Sequence, residues 1–254
     1  MNRHPDTSTA RFLTAEWRYL AILNYKIDPS ILHPLVPAGT ELDSWNGQTF
    51  MSVVGFQFLN TRVLGMSIPF HRNFEEVNLR FYVRRNTSEG WRRAVVFVKE
   101  LVPRALIALT ARVVYGENYI ALPMKHRIKV DNDDAQMGRQ VLYSWNLYGR
   151  EDHLRLNVRG EAHEPVPGSE EEFITEHYWG YTRRKNRGTM EYQVMHPRWR
   201  VWTAQDAQLK CDAAELYGNQ FAECLQASPD SALLADGSEV TVFKGISLPT
   251  GGDQ

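Results

Sequence analysis

The chain has 254 residues, a formal net charge of -1, a pI near 6.7, 43% apolar residues, and 7 Trp, 11 Tyr and 11 Phe. Near-neutral charge removes any global electrostatic case for nucleic acid or an anionic membrane as partner. No apolar run approaches membrane-spanning length, and the aromatic content suffices for a large core.

Strand signals dominate from the start. After a polar tail (1–11), Glu16–Ile27 is rich in aromatic and branched residues. Asp28-Pro29 then opens a short helix through His33, because Asp caps and Pro fits the first turn. Leu42–Trp45 and Gln48–Phe58 flank Asn46-Gly47, a hairpin signal because a type I′ turn needs positive φ at both central positions. Val77–Arg85 and Trp91–Leu101 form a second hairpin. Pro103–Tyr115 reads as a helix with an apolar stripe through Leu106, Ile107, Leu109, Ala111 and Val114. Tyr119–Val130 returns as strand, and Asp131–Gln136 is a polar loop. Val141–Tyr148 and His153–Gly160 pair around Gly149. Ser169 and Glu172 match a capping box for a helix running through about Tyr181. Thr189–His196, Trp199–Gln208 and Glu239–Ser247 complete the strands.

With no repeat, linker or low-complexity segment, the expectation is one mainly β (α+β) domain over residues 12–249, with polar tails at 1–11 and 250–254. Many antiparallel strands with two or three packed helices point to a closed or nearly closed β-barrel or cone, which removes exposed edges. Cys211 and Cys224 are the only cysteines and form no CxxC pattern. With no apolar leader at the N-terminus, a cytoplasmic protein with reduced thiols is expected. Basic pairs such as Arg84-Arg85 and Arg92-Arg93 flank turn signals and read as solvated strand ends, not a nucleic-acid patch.

The segment Phe74–Val83 carries the most information. Side chains alternate across a strand, so Phe74, Glu76, Asn78, Arg80 and Tyr82 share one face while Val77, Leu79, Phe81 and Val83 share the other. The apolar row requires burial. The polar row has three readings: a surface facing water, an ion pair tethering strands inside a barrel, or the wall of a binding cavity.

Several segments in order and spacing resemble the YqjF-like family of bacterial proteins (domain of unknown function 2071). They are Trp17-Arg18-Tyr19-Leu20 with Val36-Pro37, Leu42-Asp43 with Asn46-Gly47, Val53–Phe56, and Phe74-x-Glu76-x-Asn78-x-Arg80-x-Tyr82-Val83. Ala111-Arg112 before Leu122-Pro123, Phe173-x-Thr175-Glu176-x-Tyr178 and His196-x-x-Trp199 complete the set, spanning roughly Trp17 to Leu248. That family is similar in fold to acetoacetate decarboxylase, which implies a β-barrel or cone around a largely apolar cavity and places the Glu76 strand on its wall.

The decarboxylase forms an imine through a lysine activated by a cationic neighbour, within a Phe-Pro-Lys-Lys strand. Here the similar stretch is Gly116–Lys125, with Met124 at the first lysine position and Lys125 at the second. A thioether cannot form an imine. If Met124 faces the cavity, Lys125 faces away. The resemblance therefore implies the pocket but not the imine chemistry, with Phe74, Glu76, Asn78, Arg80, Tyr82 and Met124 expected as ligand-binding residues.

Glu76 for proton transfer and Arg80 for holding an anionic group are the candidate catalytic pair. Glu176, Tyr178 and Tyr181 are expected on the helix, the tyrosines on one side, where packing on the barrel is the plainer role. His196 before Pro197 fits either acid–base work or a backbone hydrogen bond. No His, Cys, Asp or Glu cluster has metal-ligand spacing, and no phosphate-binding Gly-rich loop or GxSxG elbow is present, so neither metal nor cofactor is expected. Three functions follow: a binding barrel for a small amphipathic or anionic metabolite, an enzyme for enolisation, hydration or dehydration without an imine, or an interaction scaffold with an exposed apolar patch.

Overall fold

The computed structural model of the protein describes residues 10–105, 118–130, 138–184 and 188–248. The expected Pro103–Tyr115 helix, the Asp131–Gln136 loop and the segment 111–117 of the resemblance fall wholly or largely outside these residues.

The strands in chain order are β1 (Arg11–Lys26), β2 (Glu41–Leu42), β3 (Phe50–Val63), β4 (Phe74–Thr87), β5 (Gly90–Val102), β6 (Tyr119–Ala121), β7 (Met124–Val130), β8 (Gly138–Leu147), β9 (Arg150–Arg159), β10 (Trp179–Arg183), β11 (Thr189–Met195), β12 (Val201–Lys210), β13 (Ser231–Phe243) and β14 (Ile246–Ser247). Short helices α1 (Pro29–Leu32), α2 (Glu170–Thr175), α3 (Ala213–Tyr217) and α4 (Asn219–Gln226) lie between them. No helix among the described residues is long and apolar enough to cross a membrane.

Local chemistry accounts for the turns. Asp28 Oδ1 accepts from the Ser30 amide at 2.8 Å and opens α1 with Pro29 in its first turn. Asn46 and Gly47 take φ of 48° and 75° while Trp45 and Gln48 bridge, as the Asn-Gly pair requires. Ser169 Oγ caps the Glu172 amide, whereas the Glu172 carboxylate reaches Gly168 N, one residue before the expected partner.

The helix ends at Thr175, which corrects its expected extent to Tyr181: Trp179–Arg183 is strand β10. Aromatic and branched residues there favour a pleated surface, and Gly180 lets β10 approach β11. A Cβ on Gly180 would lie 2.2 Å from the Tyr192 ring. Glu176, Tyr178 and Tyr181 therefore share no helix face. The stretch Tyr119–Val130 is likewise broken at Leu122-Pro123 into β6 and β7, which belong to different parts of the fold.

Strands β13, β1, β3, β4, β5, β10 and β11 are hydrogen-bonded in that order, and β11 returns to β13 through Val194↔Val242 and Met195↔Thr241. The ring is closed. Its pairings are antiparallel except β5–β10, which is parallel at Trp179↔Ala94. Continuing from β13, strands β12, β9, β8 and β7 fold a second layer over the outside of the ring.

This arrangement produces two cores. Val77, Leu79, Phe81 and Val83 point outward from β4 and pack with Tyr143, Trp145, Leu154 and Leu156 of the second layer. Phe74 and Tyr82 point inward with Val54, Phe56, Phe58, Val95 and Trp199. The alternating strand is a wall with a dry core on one side and the barrel interior on the other. Met124 pairs with Trp145 and packs in the outer core.

The candidate site: a cavity inside the barrel

The barrel interior contains a cavity of about 180 Å3. Its apolar part is aromatic: Trp17 meets Phe56 and Phe58 edge-on at centroid distances of 5.4 and 5.8 Å, and Phe58 stacks on Phe74 at 4.6 Å. Ile68 and His71, from the loop between β3 and β4, border it near the Phe74 end of β4. Thr175 and His177 border it as well, near Arg80, whose Nη2 donates to the Ile174 carbonyl.

Inward alternation along β4 sets a polar row: Phe74, Glu76, Asn78 and Arg80 all line the cavity. Glu76 and Asn78 are each 2% exposed. Asn78 Nδ2 donates to Glu76 Oε1 at 3.0 Å, and the Tyr119 hydroxyl donates to Glu76 Oε2 at 3.1 Å. Arg80 does not join this group, although an ion pair with Glu76 was one reading of the sequence. Four residues of strand separate them by about 13 Å along the backbone. Its Nη2 instead donates to the Ile174 carbonyl at 3.4 Å, at the end of α2.

Two expected lining residues lie elsewhere. Tyr82 is fully buried beyond the Arg80 end, hydrogen-bonded to Ser52 at 2.6 Å and covered by Phe173 and His177. Met124 sits in the outer layer, because the chain leaves the barrel at Leu122-Pro123 after β6. A closed β-sheet wall separates it from the cavity, which overturns the expectation that it faces the Glu76 row. Lys125, next to it, is exposed.

Sequence reasoning missed other lining groups. Glu100 lines the cavity because Leu79 pairs with Lys99 but Arg80 pairs with Phe97, making Val98 an extra residue in β5. The bulge switches the facing residues from Val95 and Phe97 to Glu100 and Val102. Tyr119 arrives on β6, beside Glu100. His177 was overlooked between Glu176 and Tyr178, and it faces the cavity because α2 stops before it.

His177 is 7% exposed, lies 4.7 Å from the Tyr82 ring and meets Phe173 edge-on at 5.8 Å. Burial, then the charges of Arg93 and Arg80, drive its pKa well below the ordinary histidine value; the nearby Ile174 backbone opposes them without giving either ring nitrogen a hydrogen bond. His196 also lines the cavity, stacked on Trp199 at 4.1 Å. Its Nδ1 contacts the Pro197 carbonyl at 2.8 Å and Nε2 faces the His177 carbonyl at 3.4 Å, so the shorter contact assigns the proton to Nδ1. Burial lowers its pKa, against those two carbonyls. Glu176 binds the Tyr178 hydroxyl and lies 3.8 Å from Arg198, outside the lining.

Several buried polar atoms around this cavity have no hydrogen-bond partner among the described residues: Trp17 Nε1, Thr61 Oγ1, Asn78 Oδ1, Arg80 Nε and both nitrogens of His177. Such groups cost free energy when buried alone and in native proteins are met by water or a ligand. No group of three His, Cys, Asp or Glu side chains among the described residues converges to hold a metal.

A closed ring of strands around a cavity, with a second layer outside it, defines an acetoacetate decarboxylase-like fold. Acetoacetate decarboxylase from Legionella pneumophila has a TM-score of 0.63 at 13% identity, over 98% of this chain and 92% of that one. The enduracididine biosynthesis enzyme MppR, solved with HEPES buffer bound, reaches 0.67 at 12% identity over 98% and 92%; another of its structures is complexed with pyruvate. The chain belongs to the family DUF2071, "Uncharacterized conserved protein (COG2071)", whose model matches residues 14–239. A relative, "Uncharacterized protein YqjF" of Bacillus subtilis (strain 168), is 28% identical over 193 residues, 76% of this chain and 74% of that protein.

Proposed function

We propose that this protein is a single barrel domain over residues 12–249 that binds a small amphipathic or anionic metabolite noncovalently inside the barrel. The observation that carries this reading is the set of unpartnered buried polar atoms bordering an otherwise apolar cavity. Aromatic and aliphatic walls with a few polar groups match the usual composition of small-molecule sites. The volume suits a compact ligand, since a cavity of roughly 150 Å3 holds benzene. Acids, imidazoles and a guanidinium line it, but no lysine among the described residues does. The similar MppR has been solved with pyruvate, which supports small molecules as the ligand class. Cys211 and Cys224 are unbridged, in keeping with a cytoplasmic location.

Trp17, Trp179 and Trp199 border the cavity, so their fluorescence is a direct reporter. Titration with linear C4–C8 alcohols and acids should change tryptophan emission saturably. Incubation with acetoacetate or pyruvate plus borohydride should leave the protein mass unchanged. A flat titration with every probe, or stoichiometric reductive trapping, would contradict the reading.

The buried Glu76 carboxylate with the Tyr119 hydroxyl at 3.1 Å favours a second reading. Glu76 would move a proton at the carbon beside a carbonyl while Arg80 holds an anionic group. Proton NMR of 2-oxo acids in deuterium oxide tests it: protein-dependent exchange of the C3 hydrogens supports enolisation, and exchange at the buffer rate excludes it.

A further inference from the structure

At the Arg80 end of the cavity three unmet polar groups differ in kind, and together they describe a ligand. Asn78 commits its Nδ2 to Glu76 at 3.0 Å, so its Oδ1 is left as an acceptor with no donor among the described residues. Arg80 Nε has no partner, and no carboxylate pairs with this guanidinium among the described residues, whereas Arg85, Arg92 and Arg93 are all in ion pairs. His177, more than nine-tenths buried, lines the same cavity, and neither ring nitrogen has a hydrogen-bond partner among the described residues. Arg80 and His177 both lie against Tyr82, at 5.7 and 4.7 Å.

We infer that this end of the cavity is a site for a small 2-hydroxycarboxylic acid with an apolar tail. Its carboxylate lies against Arg80 and the His177 N–H, its hydroxyl donates to Asn78 Oδ1, and its tail runs toward Phe56, Trp17 and Trp199. Arg80 supplies charge and a donor for the anion. Asn78 Oδ1 requires a donor that a simple carboxylate lacks, which selects the hydroxyl. A 2-amino acid is the poorer fit because desolvating an ammonium costs far more than desolvating a hydroxyl, and the nearest carboxylate, Glu76, already accepts from Asn78 and Tyr119. The inference rests on the noncovalent pocket proposed above and adds the chemical class of its ligand.

Isothermal titration of the full chain with 2-hydroxyhexanoate, hexanoate, 1,2-hexanediol, 2-aminohexanoate and 1-hexanol separates the terms. 2-Hydroxyhexanoate should bind more tightly than hexanoate and than the diol, each by roughly fivefold or more. Arg80→Gln should erase the advantage over the diol, and Asn78→Leu the advantage over hexanoate. Arg80→Lys should retain part of the first advantage because the charge is kept.

Equal binding of hexanoate and 2-hydroxyhexanoate, equal binding of the amino acid, or advantages that survive in the variants would overturn the inference. The unmutated chain alone decides the first two, whether or not the variants fold. Binding of 1-hexanol without preference for the hydroxy acid would overturn this inference and leave the pocket standing. If none of the five probes binds, both fall.

Discussion

Asn78 Nδ2 stands 3.0 Å from Glu76 Oε1, and that single bond orients the amide of this cavity-lining residue so that Oδ1 has no donor among the described residues. With the Tyr119 hydroxyl on the other carboxylate oxygen, Glu76 anchors two buried donors at once. Arg80, on the same face of β4, donates from Nη2 to the Ile174 carbonyl, and its Nε has no partner among the described residues.

Glu76→Ala leaves the Asn78 and Tyr119 donors without this acceptor, and each unpaired buried group costs about 1–3 kcal/mol. Glu75, on the outward face, pairs with the exposed His126, an interaction of the kind worth about 0–1 kcal/mol. Urea unfolding should therefore show Glu76→Ala losing roughly 3 kcal/mol and Glu75→Ala under about 1 kcal/mol. Equal, small losses would mean that the inward face of β4 is wet.

Burial lowers the pKa of both His177 and His196 below the ordinary 6.5. The unfolded chain then binds more protons than the folded one between the lowered and ordinary values, so stability rises with pH across that window. The contribution is complete above about pH 6.5 and is lost progressively as pH falls. The carboxylates with lowered pKa, Glu16 and Asp28, act only below their ordinary values of 4.5 and 3.8. Melting temperatures should drop from pH 7 to pH 5, and His177→Phe should flatten that slope. An unchanged slope in the variant would show that His177 titrates normally in the fold.

Met124→Lys places an amine in the outer layer, behind the barrel wall, and not in the cavity. Borohydride trapping with acetoacetate should leave this variant unmodified at position 124, and Lys125 unmodified in the unmutated chain. A stoichiometric adduct at residue 124 would place that strand in contact with the cavity after all.

Gly180→Ala brings a methyl group to 2.2 Å from the Tyr192 ring, which itself lines the cavity. The ring must move, and overpacking of this kind costs about 1–3 kcal/mol. Calorimetric melting should register that loss, with altered affinity for whichever probe binds the unmutated chain. Full stability and unchanged binding would mean that β10 and β11 separate without consequence.

Strand patterning exposed most of the barrel. Alternation in Phe74–Val83 distinguishes an apolar from a polar face, and Asn46-Gly47 fixes a tight turn by its demand for positive φ, although the expected hairpin is reduced to the Trp45–Gln48 bridge because Leu42 pairs with Val83 of β4. Those are local signals, readable from a few residues. What alternation could not supply was the location of its interruptions. The Val98 bulge brings Glu100 inward, and its register is visible only against β4. The stop of α2 at Thr175 turns His177 into the cavity, although the capping signal at Ser169 marked only where that helix begins. Met124 was misplaced because the break at Leu122-Pro123 read as continuous strand. Helices α3 and α4 also carry local signals: Asp212 Oδ1 accepts from the Glu215 amide, and Tyr217, Phe221 and Leu225 recur four apart.

The central claim is that the barrel interior receives an amphipathic ligand with its acidic end at Arg80. A crystal structure with 6-bromohexanoate tests it directly, because bromine is located by anomalous scattering independently of the refined ligand. The account predicts a carboxylate within hydrogen-bond distance of Arg80 and a bromine peak among Phe56, Trp17 and Trp199. A bromine peak in the outer layer near Met124, or a barrel interior with no peak at saturating probe, would contradict it.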